Sequence, residues 1–137
     1  MNRLSLLFLL LTAGAGAALA QGGLMAGQRA GTVSLMSPEG LAVEMNNYGE
    51  RGATAVLFLS TRDEGTRAQA QAIVELNHEH HRHHRVLFVG IFPDPAQSPK
   101  EIRAFCQAHG FNFPVYLDPG LKAARKFGAR VTPETFL

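Results

Sequence analysis

The sequence predicts an α/β fold in which helices flank a largely parallel sheet. Three observations carry that expectation. Two continuous apolar runs, Thr54 to Ser60 and Val86 to Phe92, have the pattern of strands buried on both faces. A helical stretch from about Thr66 to His83 separates them, so strand, helix and strand form a crossover unit. Two later segments begin with helix caps followed by proline.

The elements follow in order. Residues 1–20 read as a signal peptide: Arg3 gives a positive start, Leu4 to Leu11 is almost wholly apolar, and Ala18-Leu19-Ala20 places small residues before a cut at Gln21. The apolar run is shorter than the roughly 20 residues of a membrane helix. The expected destination is therefore periplasmic or secreted, with no membrane insertion after cleavage. Residues 21–31, QGGLMAGQRAG, read as a flexible segment, and residues 32–137 as one domain. Ser37-Pro38-Glu39-Gly40 is a turn sequence between Thr32–Leu35 and Leu41–Glu44, which predicts a short hairpin.

In the long helix, Gln71, Glu75, His78, Glu79 and Arg82 make a solvated face. Ala70, Ile73, Leu76 and His80 share the opposite stripe, which is expected to pack on the sheet. Ser98-Pro99-Lys100-Glu101 combines a capping box with proline at the first helical position and opens a helix to about His109, ended by Gly110. Phe113 to Leu117 predicts a short strand. Asp118-Pro119 repeats the cap-plus-proline device for a helix through Leu121, Ala124 and Phe127, stopped by Gly128. Glu134 to Leu137 is a last extended piece.

Charge and cysteine content exclude several functions. The chain has 13 Lys and Arg against 11 Asp and Glu, a near balance that offers no electrostatic basis for binding nucleic acid. Cys106 is the single cysteine, so no disulfide can form within the chain. It shares an apolar helical stripe with Ile102, Phe105 and His109 and reads as a buried structural thiol rather than a nucleophile. In the run from His78 to His84, His80 and His84 are four apart and can share a helix face. That makes them half of a zinc or copper site, the other reading being a solvated helix end.

These elements in this order resemble the thioredoxin-like superfamily, and most closely its redoxin branch, the alkyl hydroperoxide reductase and thiol-specific antioxidant (peroxiredoxin-like) family. The resemblance rests on the hairpin with Asn47-Tyr48-Gly49, the strand ending Val56-Leu57-Phe58-Leu59-Ser60-Thr61-Arg62, the strand Val86 to Phe92, Phe113-Pro114-Val115-Tyr116-Leu117-Asp118, and Phe127-Gly128 followed by Val131-Thr132-Pro133-Glu134-Thr135-Phe136-Leu137. It implies an antioxidant or thiol-disulfide oxidoreductase lineage, and a cis peptide bond at Pro133 with Thr132 offering its backbone to an extended substrate. It also implies a nucleophilic cysteine directly after the first core strand. That position is Asp63, and the partner position of a C-x-x-C motif is Thr66. The P-x-x-x-T-x-x-C motif of peroxiredoxins falls on Val56, Ser60 and Asp63 and matches at none of them. Asp63 then reads as a helix N-cap.

The expectation is a C-terminally incomplete thioredoxin-like domain that is catalytically silent, with an extended peptide or exported protein binding beside Thr132 and Pro133 as the alternative. By the resemblance, a further antiparallel strand and a covering helix would follow Leu137, so the expectation is a truncated fragment, a marginally stable domain, or a sheet completed by a partner.

Overall fold

The computed structural model describes residues 23–46, 52–82 and 86–137. The leader, Asn47-Tyr48-Gly49, His83 and His84 lie outside them. The described elements are β1 (Val33–Met36), β2 (Ala42–Met45), β3 (Ala53–Phe58), α1 (Glu64–Arg82), β4 (Val86–Phe92), α2 (Pro99–His109), β5 (Val115–Leu117), a 3₁₀ turn (Pro119–Leu121), α3 (Lys122–Phe127) and β6 (Glu134–Phe136). The six strands form one mixed sheet in the order β2-β1-β5-β4-β3-β6. β3 runs parallel to β4, and β4 to β5, while β1 and β6 join antiparallel.

Strand alternation divides the core into two layers. Ala55, Leu57 and Phe88 face α1 and α2 and pack with Ile73, Ile102, Phe105 and Phe113. Val56, Phe58, Val89 and Ile91 face the other way and pack with Val33, Leu35, Ala123, Ala124 and Phe127. Residues 23–31 contain no helix or strand. They lie along α3, where the Leu24 amide donates to the Lys126 carbonyl at 3.1 Å, and Leu24 and Ala30 pack on this second layer. A β-carbon on Gly128 would stand 2.8 Å from the Gly23 α-carbon, so glycine is what allows the two backbones to touch.

α2 has the expected ends. The Ser98 hydroxyl accepts from the Glu101 amide at 3.2 Å, the Glu101 carboxylate accepts from the Ser98 amide at 2.7 Å, and Gly110 closes the helix at φ 74°.

Two readings of the helices require correction. On α1 the buried stripe is Thr66, Ala70, Ile73 and Asn77, whereas Leu76 is 49% exposed and His80 only half-buried. Asn77 can enter the core because its side chain donates to Asn112 at 2.6 Å, which relieves the cost of burying an amide. Leu76 is left at the margin of the sheet beside β6. The second correction concerns Asp118. The chain first makes a 3₁₀ turn in which Gly120 and Leu121 take left-handed φ values of 73° and 57°, and the regular helix begins only at Lys122. Leu121 is therefore on the surface and not in the core stripe. Asp118 still caps, one turn later than its sequence position implies: its buried carboxylate accepts from the Ala123 and Ala124 amides, both at 2.8 Å.

Candidate functional site

The site is built where β3 leaves the sheet and α1 begins. The last backbone bond in register is the Leu59 amide on the Ile91 carbonyl at 2.8 Å. Ser60, Thr61 and Arg62 then turn the chain, and Asp63 sits at the N-cap of the 19-residue helix α1. The Asp63 carboxylate accepts from the Thr66 amide at 2.7 Å and from the Thr66 hydroxyl at 2.9 Å. Those donors hold its pKa below the ordinary carboxylate value, the Thr66 amide contributing most. Thr66 is fully buried, and its hydroxyl oxygen also accepts from the Ser60 amide at 3.3 Å, which ties the turn to the helix. The Arg67 guanidinium donates to the Thr61 carbonyl at 2.8 Å, a second tie across the same turn.

Two further segments close around it. The Thr132–Pro133 peptide bond is cis. Pro133 lies against the first turn of α1: a β-carbon placed on Gly65 would stand 3.0 Å from Pro133 Cδ and 3.2 Å from Asp63 Oδ2. Gly65 is thus the residue that lets the proline loop approach the helix start. Behind it, the Glu134 carboxylate accepts from the Arg130 amide at 2.7 Å and from the Val131 amide at 3.4 Å, holding the turn that presents Thr132. On the other side, Gln97 is almost completely buried. Its side-chain oxygen accepts from the Thr61 amide at 2.5 Å, and its Nε2 is buried without a hydrogen-bond partner. Arg62 reaches the same loop, donating to the Ala96 carbonyl at 3.0 Å and to Glu101 at 3.3 Å.

The structure therefore brings Asp63, Thr66, Thr132 and Pro133 into one place although Thr66 and Thr132 are 66 positions apart in the chain. Gly65 and Gln97 belong to the same place and escape the reading of the sequence. A glycine two residues after an N-cap is a local sign of close approach. Gln97 has none, because its partner is 36 positions away.

A carboxylate at this position accepts hydrogen bonds only; it can form no sulfur-sulfur bond and donates no electron pair to a peroxide. Cys106 lies elsewhere, on the buried face of α2 with Ile102 and Phe105. Burial pushes its thiol up to about 11. At pH 7 a thiol of that pKa is ionised in about one molecule in ten thousand. Alkylation of the folded chain by iodoacetamide is expected to rise about tenfold per pH unit toward that value, while in denaturant it follows the ordinary thiol midpoint near 8.5. A folded-state midpoint at or below 8.5 would contradict the burial. His80 is half-buried on α1, and among the described residues no three His, Cys, Asp or Glu side chains come together as a metal site.

A cis-proline loop set against the N-terminus of the helix that follows the first parallel strand, in a sheet of this order, defines a thioredoxin-like fold. The model of the AhpC/TSA family matches residues 26–137. The chain belongs to that family.

Solved structures of the same fold include a hypothetical protein from Sinorhizobium meliloti 1021 (TM-score 0.74, 22% identity, 84% of this chain and 65% of that one). An uncharacterized conserved protein from Geobacillus kaustophilus is also similar (TM-score 0.72, 22% identity, 80% and 61%). A third is a secreted Mycobacterium tuberculosis disulfide oxidoreductase homologous to E. coli DsbE (TM-score 0.62, 18% identity, 79% and 75%). The chain spans less than two thirds of the length of the first two. No curated protein matches it in sequence.

Proposed function

We propose that this chain is an exported redoxin-family domain that has lost the family's thiol chemistry and retains the surface on which that chemistry acts, holding an extended polypeptide beside Thr132 and Pro133. The single observation that carries this reading is the Asp63 carboxylate at the N-cap of α1, accepting from the Thr66 amide and hydroxyl and packed beside the cis-proline loop. Scaffold and proline loop are in place around a group that cannot exchange disulfides. Export is supported by the leader-like residues 1–20 and by the secreted relative from Mycobacterium tuberculosis.

An extended segment suits this location because Thr132 is only half-buried and lies two residues before β6, so its backbone can pair with an incoming chain. The test is retention of exported proteins on the immobilised chain, compared with a variant carrying Thr132→Gly and Pro133→Ala whose fold is verified by circular dichroism. The reading predicts that the bound set disappears in the variant. An unchanged set would place any binding elsewhere.

A further inference from the structure

Asp63 carries a charge that the fold does not pair. Its carboxylate is half-buried, and the Thr66 amide and hydroxyl, both reaching Oδ2, favour the ionised form. Among the described residues the one ion pair joins Arg62 to Glu101, so no cation lies within ion-pair distance of Asp63. The cations nearest in the chain are engaged by other groups. Arg62 donates to Glu101 and to the Ala96 carbonyl, and Arg67 donates to the Thr61 carbonyl. A carboxylate has about four acceptor positions, so capacity remains beyond the two Thr66 donors.

This unpaired charge adjoins the proline loop. Asp63 Oδ2 and Pro133 Cδ stand 3.2 and 3.0 Å from one point, the place a β-carbon on Gly65 would take. A segment lying beside Thr132 and Pro133 therefore passes the carboxylate. Three carboxylates, Asp63, Glu64 and Glu134, stand on the two segments that meet at Gly65, against two cations outside an ion pair, Arg67 and Arg130. Glu134 is already spent on the Arg130 and Val131 amides, which leaves Asp63 as the acceptor nearest the loop. An acidic side chain arriving there meets like charge, and an apolar one covers the carboxylate without replacing its water. A Lys or Arg side chain brings both the missing charge and the missing donors.

We infer that Asp63 is a specificity-determining residue: the polypeptide held beside Thr132 and Pro133 is one that presents Lys or Arg to this carboxylate. The inference rests on the peptide reading above and adds to it the charge of the ligand. Where the family pattern places a nucleophile, this chain places a reader of basic side chains.

The experiment is fluorescence anisotropy of a labelled peptide, Thr-Val-Thr-Lys-Thr-Val-Thr, titrated with the full chain beside two peptides carrying Glu or Met in place of the lysine. The same three are titrated against Asp63→Asn, which keeps an acceptor for the Thr66 amide, and against the variant carrying Thr132→Gly and Pro133→Ala. Circular dichroism verifies both folds. The lysine peptide is expected to bind at least tenfold tighter than the glutamate peptide, with the methionine peptide between them. In Asp63→Asn that preference is expected to shrink to about threefold or less. Raising salt from about 0.1 M to 1 M narrows it in the parent, because the Debye length falls from about 10 Å to 3 Å. Equal binding of the lysine and glutamate peptides, or a preference unchanged in Asp63→Asn, would overturn the inference and leave the polypeptide reading standing. Failure of all three peptides to bind, or binding that survives Thr132→Gly with Pro133→Ala, would overturn both.

Discussion

Replacing Asp63 by cysteine, in a chain also carrying Cys106→Ala, is expected to create a thiol that iodoacetamide modifies at pH 7 on the order of a thousand times faster than Cys106 in the parent. The expectation follows from what surrounds the carboxylate. Asp63 stands at the N-cap of a 19-residue helix, where unpaired amides concentrate positive potential. The Thr66 amide and hydroxyl both donate to the same carboxylate oxygen. A thiolate there inherits those donors and the helix terminus, and each favours the ionised form. Cys106 has neither; it lies mid-helix and its thiol is raised to about 11. The rate of alkylation against pH is the measurement. A midpoint below the ordinary 8.5 would show that the site still activates a nucleophile and lacks only the nucleophile itself. A new thiol as unreactive as Cys106 would show that the surroundings of Asp63 have also diverged.

Asp118→Ala is expected to cost about 3 kcal/mol of folding stability, because it strips two buried donors of their acceptor at once. The Asp118 carboxylate is almost fully buried and accepts from the Ala123 and Ala124 amides, both at 2.8 Å. Ala123 is itself completely buried and Ala124 nearly so, so water does not readily replace the lost acceptor. Each buried amide left without a partner costs about 1–3 kcal/mol. Asp118→Asn keeps one oxygen acceptor and is expected to cost roughly half as much. Urea denaturation of the three proteins checks both values. A cost below about 1 kcal/mol for Asp118→Ala, the low end for a single orphaned amide, would mean that α3 is held by its apolar contacts alone.

Much of this architecture is legible in the sequence because it is encoded locally. The hairpin turn at Ser37–Gly40, the apolar run of β4 and the capping box of α2 each depend on residues within a few positions of one another. The features that escape reading are those decided by distant partners or by backbone geometry. Leu121 occupies a helical phase in the sequence, but the left-handed turn at Gly120 and Leu121 rotates it to the surface. Asn77 enters the core because Asn112 accepts a hydrogen bond across the fold, while Leu76 stands at the margin of the sheet. Of the candidate site, Asp63, Thr66, Thr132 and Pro133 are identifiable by position relative to a known family pattern. Gly65 and Gln97 are recognised only once the proline loop and the α2 approach are seen to converge on the same turn.

The proposal that the family's redox site persists in form without its chemistry is tested most directly by turnover. Peroxide, and a disulfide substrate with a dithiol donor, are each offered to the folded chain and to its Cys106→Ala variant. Both proteins are predicted to consume neither substrate faster than buffer alone. Turnover in the parent that disappears in Cys106→Ala would contradict the proposal, and would make the buried thiol of α2 the nucleophile of a relocated site.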